Sequence, residues 1–370
     1  MIGRAKICLN MIVKNEAKVI ARCLSSTRPF IDTWVIVDTG SSDGTQDIIR
    51  KCLAEVPGEL YERPWQNFGA NRSEALDLAR NRADYTLIID ADEVLDAPPG
   101  FQPGKLELDA YQLRTELGEL TYYRTQLIRS SLPWRWEGVL HEYLECDQPF
   151  SQNKLEGIVN RPTPDGARSS DPLKYLKDAA LLEEALKQRP NNARDVFYLA
   201  QSYRDAGLVE AALKYYKKRV ELGGWEEEVW YAMFQVARLS EAAERPAPEV
   251  VHAYLEAYQR RPSRAETLTA FARYYRLKSQ YALAHLFAKQ AVALAPPDDL
   301  LFVDASVYAW RARDECSIAA YYLGLHTEAL ELTFALLADA RLPATERARI
   351  AANRDFSVKA LADGARAPQP

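Results

Sequence analysis

Three acids fall within four positions, Asp90, Asp92 and Glu93, where the apolar run of residues 85–89 ends in the stretch YTLIIDADEVL. The run is short and rich in β-branched residues, which is the composition of a fully buried strand. Carboxylates leaving the carboxyl end of such a strand stand where open α/β sheets bind ligands. If the strand continues through them, Asp90 and Asp92 point to one side, and two converging acids repel each other unless a cation lies between them. An all-oxygen donor set of this kind suits Mg²⁺ or Mn²⁺, which keep waters and bind through one or two carboxylates plus substrate phosphates. A D-x-D is also short enough to be a solvated loop after a core strand, so its neighbours decide.

Four other groups could join it. Asp38 ends a second apolar run and is followed by TGSSDGT, a small-residue turn of the sort that brings backbone N–H groups and a helix N-terminus to a phosphate. Arg72 lies near the start of a helical pattern, where a cation opposes the helix dipole unless it meets an anion; a phosphate would serve, and so would Glu74 or Asp77 on the helix surface. His141 and Glu142 are adjacent and could act as a metal contact and a general base in either order. Trp134 and Trp136 precede them and offer indole faces to a sugar, or else fill a core. If WRWEGVLHEYLEC is one strand, His141 and Glu142 face opposite ways and only one enters the cleft.

The elements that must position these residues alternate. A strand over residues 5–13 stops at Lys14-Asn15-Glu16, and a helical pattern follows at Val19, Ile20, Cys23 and Leu24. Next come a strand over 33–37, a helix capped by Asp43 or Thr45, a strand near 60–62, and a helix with Ala75, Leu76 and Ala79 on one face. This order opens a mostly parallel sheet. Beyond Asp92 the pattern turns to further strands. No G-x-G-x-x-G and no G-x-x-x-x-G-K-[ST] is present, which disfavours a dinucleotide fold and a P-loop.

The chain of 370 residues is long enough for two domains. A net charge of −5 gives no overall electrostatic grip on nucleic acid or an anionic membrane. The five cysteines are scattered without a C-x-x-C pair, which suits a reducing compartment. Without a run of membrane-spanning length or a signal-peptide pattern, the expected location is the cytoplasm, with no transmembrane segment.

MIVKNEA after the first strand, VDTGSSDGT after the second, FGANRSEAL and LIIDADE together resemble the family 2 glycosyltransferases of the GT-A fold, over about the first 145 residues and in the expected order. The resemblance implies a donor that is a nucleotide-diphosphate sugar, UDP-linked in the first instance, held by Val13, Asn15, Glu16, Asp38, Arg72 and Asp90. It implies Asp92 as ligand of a Mn²⁺ or Mg²⁺ cofactor on the diphosphate, inverting transfer to a hydroxyl of a saccharide or peptide acceptor, and a base on that hydroxyl. The E-D pair that carries the base in larger members has no clear counterpart; WEGVLHEYLE resembles smaller relatives with His-Glu. Glu142 is then the expected base, His141 a second metal or phosphate contact, and Trp134 and Trp136 the acceptor platform.

From Asp171 onward the chain becomes rich in Ala, Leu, Glu, Arg and Tyr, after the proline-rich stretch NRPTPDGARSSDP. In DVFYLAQSYRDAGLVEAALKYYKKRVELGG, the residues Leu199, Ala200, Tyr203, Gly207, Ala212 and Tyr216 match the tetratricopeptide pattern. Gly324 and Ala329 repeat the spacing of Gly207 and Ala212, and DASVYAWRARDE departs from it. The expected fold class is therefore α/β plus all-α. Residues 1–165 form a GT-A domain, 171–345 a helical-repeat solenoid able to bind an acceptor or a protein partner, and 346–370 a C-terminal helix and tail. Two other functions compete: an inactive scaffold of the same architecture, and a nucleotidyltransferase. The latter wants a glycine-rich basic loop near the N-terminus, where only Gly3-Arg4 stands.

Overall fold

The computed structural model describes residues 4–364, so Gly3 and the last residues of the tail lie outside it. The chain divides into two compact units, residues 1–212 and 213–370.

The first unit is built on a mixed sheet. Strands β1 (Ile7–Val13), β2 (Thr33–Asp38), β3 (Gly58–Glu62) and β4 (Tyr85–Ile88) are parallel in the order β3-β2-β1-β4. Beyond β4 the order continues through β7 (Leu120–Arg129), β6 (Ala110–Leu117), β10 (Gln152–Pro162) and β5 (Glu93–Asp96). The β4–β7, β6–β7 and β5–β10 pairs are antiparallel. β1 is buried along almost its whole length because both faces are covered. Leu9, Met11 and Val13 pack in the main core with Ile20, Cys23 and Leu24 of α1 (Ile20–Thr27), whereas Cys8 packs with Ala79 of α3 (Phe68–Ala79) on the other face. The polar Asn10 is tolerated there because its amide donates to the Ala75 and Val35 carbonyls at 2.8 and 3.3 Å.

The chain leaves β1 to one side for β2 and β3, then returns to the other side for β4. That reversal opens a crevice at the carboxyl ends of β1 and β4, where sheets of this kind bind ligands. α2 (Thr45–Cys52) follows the β2 loop; its N-cap is Gly44 at φ +89°, so neither Asp43 nor Thr45 caps it, and Asp43 Oδ1 instead accepts from the Thr45 amide at 3.1 Å across the turn. The hairpin β8 (Trp134–Glu137) and β9 (Tyr143–Cys146) forms a separate small sheet. Helices α4 (Lys174–Gln188) and α5 (Ala193–Asp205) belong to this unit as well.

The unit boundary falls inside α6 (Val209–Leu222), and the second unit continues with α7 (Glu226–Ala242), α8 (Ala247–Arg260), α9 (Ala265–Leu277), α10 (Tyr281–Val292), α11 (Ala312–Tyr322), α12 (His326–Ala338) and α13 (Ala344–Gly364). The turns inside the helix pairs carry a residue in the left-handed region at Gly207, Glu244, Ser279 and Gly324. Ala212, Ala329 and Tyr216 are buried, as the repeat pattern requires. DASVYAWRARDE departs from that pattern by forming a π-helical turn at Val307–Arg311 before α11. No helix among the described residues is long and apolar enough to cross a membrane.

Candidate active site

The loops after β1 and β2 are fastened to each other. Val13 is the register partner of Asp38, and its carbonyl accepts from the Thr39 amide at 2.9 Å. Asn15 adopts φ +56°, a left-handed conformation that Asn tolerates better than most residues. From there its amide donates to Ser41 Oγ and its Oδ1 accepts from the Ser42 amide, both at 2.8 Å. The Glu16 amide donates to Thr45 Oγ1 at 2.9 Å and the Ala17 amide to Asp43 Oδ2 at 3.0 Å. Asp38 is only 1% exposed; its Oδ1 accepts from the Gly40 and Ser41 amides, while its buried Oδ2 has no hydrogen-bond partner. A buried acceptor left open on this loop is available to an N–H or O–H of a ligand or of water.

Arg72 is turned inward, not toward solvent. Asn67 caps α3, accepting from the Ala70 amide at 2.8 Å, so the helix begins early enough to place Arg72 on its buried face. Its guanidinium meets Asp90 Oδ1 and Glu142 Oε1, each at 2.5 Å, and lies over the Trp136 ring, 5.2 Å from the centroid. Glu74 and Asp77, the possible surface partners, pair with Arg63 and Arg80 instead. Asp90 also faces Arg124 at 3.6 Å, and Arg124 pairs with the buried Glu93. Burial opposes ionisation of Asp90, but Arg72 and Arg124 outweigh it and lower its pKa.

Asp92 is in the opposite condition. β4 ends at Ile88, so Asp90 and Asp92 occupy a turn before β5 and do not continue a strand; the turn separates their environments. Among the described residues no ion pair holds Asp92. Burial first, then the charges of Asp90 and Glu93, raise its pKa to about 6. Glu16 is raised to about 7 by burial, against a hydrogen bond from the Ala167 amide, with Asp92, Asp43 and Asp90 contributing repulsion. The proline-rich stretch after β10 is packed over these acids: Thr163 donates to the Asp92 carbonyl, Arg22 grips Asp165, and a Cβ on Gly166 would come within 2.8 Å of Asp92 Oδ2.

WRWEGVLHEYLEC is not one strand. Gly138 at φ +108° and His141 at φ +51° bend it into the β8–β9 connection, so strand alternation does not govern His141 and Glu142. Glu142 faces Arg72. The His141 ring stacks on Tyr198 of α5 at a centroid distance of 4.0 Å, and its carbonyl accepts from Arg194 Nε at 2.9 Å. Although one side of the residue is open to water, crowding of the ring and the nearby charges of Arg194, Arg168, Lys174 and Arg124 lower its pKa. The neutral imidazole has a lone pair to offer.

The two tryptophans part ways. Trp134 is buried at 3% exposure among Leu76, Ile88, Ala110 and Ile128, with its indole N–H on the Arg129 carbonyl, so it is a core residue with no face for a sugar. Trp136 is half-buried beneath Arg72.

The fold thus gathers Val13, Asn15, Glu16 and Asp38 at one side of the crevice and Arg72, Asp90 and Glu142 at the other. Asp92 and His141 do not join a third His, Cys, Asp or Glu in a compact ligand group among the described residues. An open carboxylate without a protein cage suits Mg²⁺ or Mn²⁺ completed by water and phosphate. Glu93 stands in the acid cluster but has no role read from the sequence, and Arg124, Arg194 and Tyr198 are not picked out by it at all. Only the acid of Glu93 next to D-x-D was a visible signal; the others come from β7 and α5, remote in sequence from the motifs.

Residues 8–99 match the family model described as Glycosyl transferase family 2, so the resemblance to that family lies in the N-terminal part of the chain. A TPR repeat-containing protein of Synechococcus elongatus is 28% identical over 79% of this chain and 76% of its own length. An uncharacterized glycosyltransferase of Rickettsia felis is 38% identical over 24% of this chain and 30% of its own. The SPbeta prophage-derived glycosyltransferase SunS of Bacillus subtilis is 24% identical over 58% and 53%. The chain therefore spans about a third to a half of the glycosyltransferases it matches. Among solved structures, MamA aligns with 52% of this chain at 15% identity and a TM-score of 0.36.

Proposed function

We propose that the crevice binds a nucleotide-diphosphate sugar, UDP-linked in the first instance, and transfers the sugar with inversion to a hydroxyl of a saccharide or peptide acceptor. The observation that supports this most is the unequal treatment of the acids. Asp90 is neutralised by two arginines, while Asp92, two positions on, has no ion-pair partner among the described residues and a raised pKa. Asp92, with Glu16 beside it, would hold Mn²⁺ or Mg²⁺. When bound, that cation supplies Lewis-acid neutralisation of the diphosphate leaving group.

The chain's own residues do the rest. Asp38 offers its open Oδ2 to an N–H of the base or an O–H of the ribose. Arg72 fixes Asp90 and Glu142 and adds positive charge near the departing phosphates. Glu142 accepts the proton of the acceptor hydroxyl as the new C1–O bond forms opposite the breaking bond to the diphosphate. His141, neutral, contacts phosphate or metal. In the second unit a cleft of about 1220 Å³, lined by Phe234, Arg238, Trp310, Tyr321 and Phe356 among others, is large enough for an acceptor chain or partner segment.

Thermal shifts with nucleoside diphosphates and their sugars, with and without Mn²⁺, test the reading. Saturation a hundredfold above Kd stabilises by about 2.7 kcal/mol. The metal-dependent part of the shift, and donor hydrolysis or transfer with it, should vanish in Asp92→Asn. A folded wild type that shows neither shift nor donor turnover would instead be an inactive scaffold.

A further inference from the structure

We infer that the second unit contains a transition-metal site, of the Zn²⁺ class, formed by His285, Cys316 and Glu328. These residues come one each from α10, α11 and α12, and their ligand atoms lie within 4.8 Å of one another. Imidazole nitrogen, thiolate and carboxylate are the donors that Zn²⁺ takes, and three protein ligands plus water complete its tetrahedron. Among the described residues no other group of three or more His, Cys, Asp and Glu is so compact.

Comparison of the repeats with each other supports the inference independently. Aligned on their left-handed turn residues Gly207, Ser279 and Gly324, the units carry Leu199, Phe271 and Cys316 at one position before the turn. After the turn, one position holds Leu213, His285 and Leu330, and another holds Ala211, Leu283 and Glu328. All three donors replace apolar residues of sister units, and the three replacements, spread over two units, meet at one point. Independent drift at three positions gives no reason for the three donors to converge.

The surroundings suit an ion. Cys316 is 2% exposed, beside Ala272 and Ala288, so its sulfur is fixed and shielded. Glu328 divides its oxygens: Oε2 is 3.1 Å from His285 Nε2, and Oε1 accepts from Lys289 at 3.1 Å. Metal would take Oε2 and leave Lys289 on Oε1 as an outer contact that orients the carboxylate. His285 would hold its remaining proton on Nδ1 and ligate through Nε2. Cys316 would release its proton to solvent, so thiolate and carboxylate together balance the dication.

The test uses the full chain, freed of metal with a chelator and titrated with Co²⁺ as an optical probe. One Co²⁺ per chain should produce a thiolate-to-cobalt charge-transfer band that Zn²⁺ bleaches. Binding of Co²⁺ at Asp92 gives no such band, because no thiolate is among the ligands proposed there, so the result is independent of the transferase reading. Cys316→Ser should abolish the band; His285→Asn and Glu328→Gln should weaken binding by at least about tenfold. Zn²⁺ should raise the melting temperature of the wild type more than that of Glu328→Gln, whose half-buried site makes it the variant least at risk of misfolding. Absence of the band in the wild type, its persistence in Cys316→Ser, or equal Zn²⁺ shifts in wild type and folded Glu328→Gln would overturn the inference.

Discussion

Replacing Arg72 by Met tests the centre of the site. Methionine keeps the bulk over Trp136 but removes the charge that Asp90 and Glu142 share. The side chains of Arg72 and Glu142 are 10% and 9% exposed, so little water can take over when the guanidinium leaves. Stranding one partner of a buried pair costs about 3–5 kcal/mol. Asp90 is more open, at 29%, and keeps Arg124 at 3.6 Å, so most of the loss falls on Glu142. The expected cost is therefore about 3 kcal/mol, the lower end of that range. Glu142→Gln alone should cost about 1–2 kcal/mol, because Arg72 retains Asp90. The double variant Arg72→Met with Glu142→Gln should cost less than the sum, since the stranded charge is gone. Because the chain has two compact units, hydrogen exchange in β1 and β4 peptides under mild denaturant is the suitable readout for the first one. A loss under about 1 kcal/mol for Arg72→Met, or strict additivity, would falsify the picture of Arg72 as the shared counter-ion.

Asp38→Ala should weaken nucleoside diphosphate binding by about 1.5–3 kcal/mol, the worth of a charge-assisted hydrogen bond, as read by calorimetry; unchanged affinity would make Asp38 a turn residue only. The raised pKa values of Asp92, about 6, and Glu16, about 7, mean that the folded state holds these protons more tightly than the unfolded chain. Their contribution to stability is thus fully present below their ordinary carboxyl values and lost as pH rises toward 7, by about 1.4 kcal/mol per unit before solvent screening reduces it. The stability difference between wild type and Asp92→Asn should accordingly grow against the wild type from pH 4.5 to 7.5 without metal and close with Mn²⁺; a difference flat with pH would sink the assignment. For the base, Glu142→Gln should cut transfer by at least about a hundredfold with donor affinity nearly kept, whereas His141→Ala should be partly rescued by extra Mn²⁺. The roles are exchanged if His141→Ala is the inactive variant at saturating metal and donor.

The sequence by itself determined the order of the elements and the identity of the loops. Buried parallel strands are apolar nearly throughout, and left-handed or capped turns favour Asn, Gly, Asp or Thr, so MIVKNEA, VDTGSSDGT and LIIDADE are visible before any contact is known. The repeat array is legible for a similar reason: its small residues recur where helices touch. What the sequence could not decide was which charges meet. Asp90 and Asp92 look alike in a motif, yet one is neutralised by Arg72 and Arg124 and the other is open, because two arginines from α3 and β7 reach only the first. Trp134 and Trp136 share one face of β8, and only the packing of α3 shows that the first is core. His141 owes its setting to Tyr198 and Arg194 of α5, which a boundary drawn at the proline-rich stretch assigns to another module. Local patterns follow from the backbone's short-range demands on each residue type. The pairing of buried charges depends on which distant segments the fold brings within a few ångströms, where desolvation makes each partner decisive.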